Sequence, residues 1–96
     1  MKEISKKNAE KLGLDVMLLQ TIEESGELVQ AVSKYNRVRG IGQKTSLSKE
    51  DATGNLIEEI ADMQICLEQI VYLLGIKEDV KEVKLQKYQK VADRYK

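Results

Sequence analysis

Two stretches of the sequence, TIEESGELVQ and NLIEEIADMQ, set carboxylates one helical turn apart: Glu23, Glu24 and Glu27 in the first, Glu58, Glu59 and Asp62 in the second. Successive helix residues are turned by ~100°, so positions three apart differ by only about 60°. Glu24/Glu27 and Glu59/Asp62 therefore form two matched pairs, each projecting from one face of its helix. On an ordinary amphipathic helix such a pair faces water, and Glu24/Glu27 alone, opposite the Leu18/Ile22/Val29 stripe, reads that way. The second pair is different. On a helical wheel Glu59 falls between Ile70 and Cys66 at the margin of the apolar sector, and Asp62 sits beside Leu73. A carboxylate held against apolar surface is costly unless a cation or donor compensates it.

Two such pairs from neighbouring helices could surround a hard cation with oxygen. The chain has no His, which removes histidine-based zinc and di-iron sites and any triad with an imidazole base. Oxygen-only ligation points to Mg²⁺, with Mn²⁺ as a substitute, rather than zinc or copper. Ferritin-like bundles need Glu-x-x-His pairs, and no segment offers the alternating Asp/Asn and central Gly of an EF-hand loop. Further along, Lys84 and Lys87 fall inside the apolar arc set by Val80, Val83, Tyr88, Val91 and Tyr95, with Arg94 close by. Snorkelling of long stems over apolar surface explains any one of them. Together they suit an anion, and carboxylates, a divalent cation and lysines together suggest a polyphosphate.

The elements that must position these residues are helices. Periodicity predicts a short helix over Ile4–Lys11, stopped at Gly13. A long helix follows over Asp15–Arg37, with Leu14, Leu18, Ile22, Val29 and Val32 as its apolar side. RVRGIGQKTSLS is the one clear loop, and Ser48 with Asp51 three residues on resembles a capping box. The next helix, Lys49–Leu74, carries Leu56, Ile60, Met63, Leu67, Ile70, Val71 and Leu74 on one stripe, and Gly54 is expected to delay its regular part to Asn55. Gly75 closes it, and a last helix covers Lys77–Tyr95. The expectation is an all-α antiparallel bundle of about four helices, with short connections joining neighbours.

Ninety-six residues make one domain, residues 1–96. A third of the chain is charged but the net charge is zero, so no basic field argues for a nucleic acid polymer. Cys66 is the single cysteine, which suits a reducing compartment. No apolar run is long enough to span a membrane and the start is too polar for a secretory signal, so the expected location is cytoplasmic. Phe and Trp are absent, and a chain this short buries only roughly 60% of its unfolded surface. Its aliphatic core is expected to be thin. A second stripe on the motif helix, Ala61, Ile65 and Tyr72, adds to the expectation that a homodimer, paired again into a tetramer or not, completes the fold.

With both acidic halves in view, EESGEL followed by EEIADM resembles the Glu-Glu-x-x-Glu … Glu-x-x-Asp pattern of the MazG-like all-α nucleoside triphosphate pyrophosphohydrolases. The resemblance runs from about Gln20 to Leu74, with weaker agreement at VKLQK, and in length and pattern it is similar to short, single-domain phage-type members. It implies a Mg²⁺-dependent enzyme that cleaves a nucleotide substrate between its α- and β-phosphates, giving a monophosphate and pyrophosphate. It implies Glu24, Glu27, Glu59 and Asp62 as metal ligands and Glu23 as the carboxylate that orients or deprotonates water. It implies phosphate contacts from Lys84, helped by Lys87, and a pocket lined by Gln20 and Lys34. The aromatic side chains that stack a base in some relatives have no counterpart here. A non-catalytic helical module, binding a nucleotide or a partner protein through the same fold, is the alternative. A degenerate copy would be free to lose the four-carboxylate set, which this chain keeps complete.

Overall fold

The computed structural model describes residues 2–96, and they form four helices: α1 (Glu3–Leu12), α2 (Leu14–Val38), α3 (Lys49–Leu74) and α4 (Lys77–Arg94). The chain is all-α. Gly13, at φ 84°, separates α1 from α2 in a single residue that only glycine adopts without strain. Ser48 caps α3, its Oγ accepting from the Asp51 N–H at 3.0 Å. The cap holds the first turn firmly enough that the helix runs from Lys49 straight through Gly54, without the delayed start expected from that glycine. At the other end Gly75 is left-handed (φ 64°), and the Ile76 N–H closes onto the Val71 carbonyl at 3.2 Å.

The scaffold is the hairpin of α2 and α3, whose packing dominates the tertiary structure. Electrostatic neighbours give its register: Glu27 meets Glu59, Glu24 meets Glu59 and Asp62, and Cys66 meets Thr21 and Glu24. Numbers that fall on α2 as they rise on α3 define an antiparallel pair. Its seam is narrow and made of small or flexible residues: Met17 and Ala31 are buried on α2, and Ala52 and Cys66 on α3. Met17 is the one large side chain among the described residues that is fully enclosed.

The seam is not where the apolar pattern points. Leu18, Ile22, Val29 and Val32, the stripe expected to enter the core, are exposed, Ile22 at 68% and Val29 at 69%. On α3 the expected stripe is split: Met63 and Ile70 turn inward, while Ile60, Leu67 and Leu74 stay exposed. The second α3 stripe also differs from expectation, because α1 packs beside it. Tyr72 is half-buried and donates its hydroxyl to Glu10, and Gln69, buried, donates from its amide to the Ser5 carbonyl and hydroxyl oxygens at 3.3 and 3.2 Å. α4 adjoins only α3, buries none of its own residues, and projects from the hairpin, which gives overall extents of 43 × 42 × 20 Å.

Candidate metal centre

Halfway along the hairpin, three carboxylates converge. Glu24, Glu27 and Glu59 each offer an oxygen, and these oxygens lie within 4.8 Å of one another. Glu24 and Glu59 are half-buried, Glu27 and Asp62 exposed. The convergence follows from register: Glu24 occupies a seam position one turn after Thr21, and Glu59 does the same one turn after Asn55. Glu24 is thus on the inner side of α2, not on the solvated face that its place opposite the apolar stripe suggested.

The Oε2 atoms of Glu24 and Glu59 are sealed from solvent and have no hydrogen-bond partner. Among the described residues the one ion pair is Lys96–Asp93 at 3.9 Å, at the far end of α4, so no lysine or arginine neutralises the cluster. Loss of hydration is the largest reason that the Glu24 carboxyl titrates above its ordinary 4.5, followed by repulsion from Glu27, Asp62 and Glu59. Glu59 is raised likewise, first by loss of hydration and then by Glu27 and Asp62. Cys66, just beneath, is pushed up by burial and by Glu24 and Asp62, with Thr21 partly offsetting them. Orphaned acceptors, mutual repulsion and absent counter-charge leave these carboxylates uncompensated, and a cation is one group that could compensate them. The donor set is all oxygen, which suits Mg²⁺ or Mn²⁺.

Around this cluster the outer positions sort themselves. Gln20, Glu23, Glu27 and Lys34 lie on one side of α2, and Glu58 and Asp62 lie on the corresponding side of α3, so the carboxylates open onto a polar face. Glu23 is exposed there, and Lys34 is half-buried about 10 Å of helix rise beyond Glu27. Lys84 and Lys87 are not brought to the cluster of their own chain. Lys84 lines a groove with Val71, Val80 and Tyr88, and Val71 lies about 18 Å of helix rise beyond Glu59. The reason is the outward course of α4, which the periodicity of the last helix did not reveal. Cys66 borders the site, as its place next to Glu59 on the helical wheel suggests, whereas Thr21 joins it through a signal the carboxylate pattern does not carry, its position three residues before Glu24.

Comparison with protein-family models, with curated proteins and with solved structures returns no match.

Proposed function

We propose that the chain is a Mg²⁺-dependent nucleotide pyrophosphohydrolase, cleaving a (d)NTP between its α- and β-phosphates to a monophosphate and pyrophosphate. The observation that carries the reading is the pair of sealed, unpartnered oxygens of Glu24 and Glu59 within a three-carboxylate cluster that no ion pair among the described residues neutralises. The MazG-like pattern of the same residues supplies the reaction class.

Each residue has a distinct part. Glu24 and Glu59, anchored in the seam, would hold the inner side of a metal, and Glu27 and Asp62 its open side. When bound, Mg²⁺ supplies charge neutralisation at the phosphate oxygens and a lowered pKa for a coordinated water. Glu23, exposed on the same side of α2, would take the proton from the attacking water as general base. Lys34 and Gln20 flank the mouth and would bind the substrate's phosphates or base by charge and hydrogen bonding. Seating Glu24 and Glu59 on a rigid two-helix seam fixes the ligands before substrate arrives, so little reorganisation is left for the chemical step. A pyrophosphate-release screen over (d)NTPs with and without Mg²⁺ tests the proposal. Release that requires Mg²⁺ supports it, and no release from any nucleotide sinks it.

A further inference from the structure

Between Glu27 and Glu50 the sequence carries Lys34, Arg37, Arg39, Lys44 and Lys49 and not one carboxylate. The chain as a whole is neutral, so its charge is segregated. The acidic cluster lies halfway along the hairpin, and these cations gather at its closed end, where α2 runs into the loop towards α3. Among the described residues none of the five is ion-paired, since the one ion pair is Lys96–Asp93. Cations at a helix C-terminus ordinarily answer the partial negative charge of the last carbonyls. Arg39, the C-cap residue, does stay at the helix end, its guanidinium 5.8 Å from the centre of the Tyr35 ring. Arg37 does not. Its Nη2 donates to the Ser33 Oγ at 3.2 Å, so the guanidinium turns back by a full turn from the end of α2. The residue is half-buried, and its Cγ lies 4.0 Å from the position a Cβ would take on Gly42.

Arg37 lines a cavity of about 450 Å³, within the range of small-molecule sites. The loop builds the other wall by folding back on the helix. The Arg39 and Ile41 N–H groups both donate to the Asn36 carbonyl, at 3.1 and 2.9 Å, and the Gly40 N–H donates to the Arg37 carbonyl at 3.0 Å. Val29, Val32 and Ile41 give the cavity its apolar surface, while Asn36 and Gln43 supply amides. Val29, Val32 and Asn36 stand roughly 140–180° around α2 from Glu27, so the cavity lies on the side away from the carboxylates.

We infer that this cavity binds a phosphate monoester with an apolar or planar body, its phosphate on Arg37 and its body on Val29, Val32 and Ile41. Arg37 spends one N–H on Ser33 and keeps the rest of its fork free for a pair of anionic oxygens. A carboxylate would satisfy the fork alone. The unpaired cations at the same end favour a doubly charged head, and a phosphate monoester carries about −1.5 to −2 at pH 7. A bare phosphate ion would leave Val29, Val32 and Ile41 as exposed as they are, at 69%, 44% and 52%. An apolar or planar body covers them and removes that surface from water. A nucleic acid strand needs a row of cations along a groove, whereas here one cation is fixed, at one concavity. The cavity is separate from the carboxylate cluster, and the inference does not depend on what that cluster binds.

NMR titration of the ¹⁵N-labelled full chain with phenyl phosphate tests the inference without altering the protein. The amide signals of Ser33, Arg37, Ile41 and Gly42 should move most, and inorganic phosphate should bind roughly fivefold more weakly because it lacks the body. Uridine 5′-monophosphate separates two sources of such a group: tighter binding than phenyl phosphate assigns the cavity to nucleotides, and weaker binding assigns it to smaller esters. Arg37→Gln should weaken phenyl phosphate by roughly tenfold or more, through loss of a charged hydrogen-bond donor. Arg94→Gln, the same loss of charge on α4, should leave the affinity unchanged. Arg37→Lys keeps the charge without the fork and should not restore it. Should the Arg37 variants fail to fold, the signal movements in the unaltered chain decide. No movement at millimolar ester, largest movements at Glu24 and Glu59 or on α4, equal weakening by Arg37→Gln and Arg94→Gln, or tighter binding of a single-stranded oligonucleotide than of either ester would overturn the inference.

Discussion

Adding Mg²⁺ should stabilise the protein strongly, and Glu59→Gln should remove most of that gain. In octahedral ligation at 2.0–2.1 Å, adjacent oxygens sit about 2.9 Å apart and opposite ones about 4.2 Å. The oxygens of Glu24, Glu27 and Glu59 already lie within 4.8 Å of one another, so closing on the ion needs movements of only about 1–2 Å, within reach of side-chain rotation. Binding therefore costs little reorganisation, and a ligand bound only by the native state at a hundred times its dissociation constant contributes about 2.7 kcal/mol. For a domain of this size that is a rise in Tm of roughly 10–20 °C. Glu59→Gln keeps the shape and removes one anionic ligand. Since loss of hydration and repulsion from Glu27 and Asp62 already hold the Glu59 carboxyl above its ordinary range, the metal-free variant should melt no lower than the parent. Differential scanning fluorimetry across a Mg²⁺ titration reads both effects. Equal Mg²⁺ shifts in parent and variant, or a metal-free variant that melts well below the parent, would refute the reasoning.

The raised carboxyls also set a pH dependence. Glu24 and Glu59 bind protons more tightly folded than unfolded, so their contribution to metal-free stability is complete below about 4.5 and lost as pH rises through their folded values. Melting between about pH 4 and 8 should show that decline without metal, a Mg²⁺ gain that grows with pH, and a flattened metal-free profile in the Glu24→Gln/Glu59→Gln double variant. A Mg²⁺ gain that shrinks with pH would contradict ionised ligands. Lys34→Ala should raise KM with the Mg²⁺ shift preserved, and Lys84→Ala should likewise leave the Mg²⁺ shift unchanged. Loss of the metal response in Lys84→Ala would place that lysine at the cluster.

The helices were legible because each carries its own punctuation. Gly13, Ser48 and Gly75 end or begin elements within a residue or two of where the pattern placed them. The acidic pairs were legible because a spacing of three is geometry, whatever packs around it. What periodicity misjudged was which face turns inward. It reports the side richest in Leu, Ile and Val, and on α2 that side is uncovered in a single chain. The intramolecular seam is made instead of Met17, Ala31, Ala52 and Cys66, small or slender residues that let two backbones approach. Such a seam has little apolar signal, and it admits Glu24 and Glu59, which the wheel set at the margin or on the outside. The course of α4 was hidden for a related reason. An amphipathic helix announces that it has a partner, but the pattern does not say which surface, or whose.

The proposed function requires four side chains to act as one metal-dependent site. Mg²⁺-dependent pyrophosphate release should be measured for the parent and for Glu24→Gln, Glu27→Gln, Glu59→Gln and Asp62→Asn, each checked for helical content and melting. Each of the four should abolish release, which depends on all four acting as a unit, while each variant keeps its fold and melts without metal no lower than the parent. A folded Asp62→Asn or Glu59→Gln variant that releases pyrophosphate at the parent's rate would contradict it.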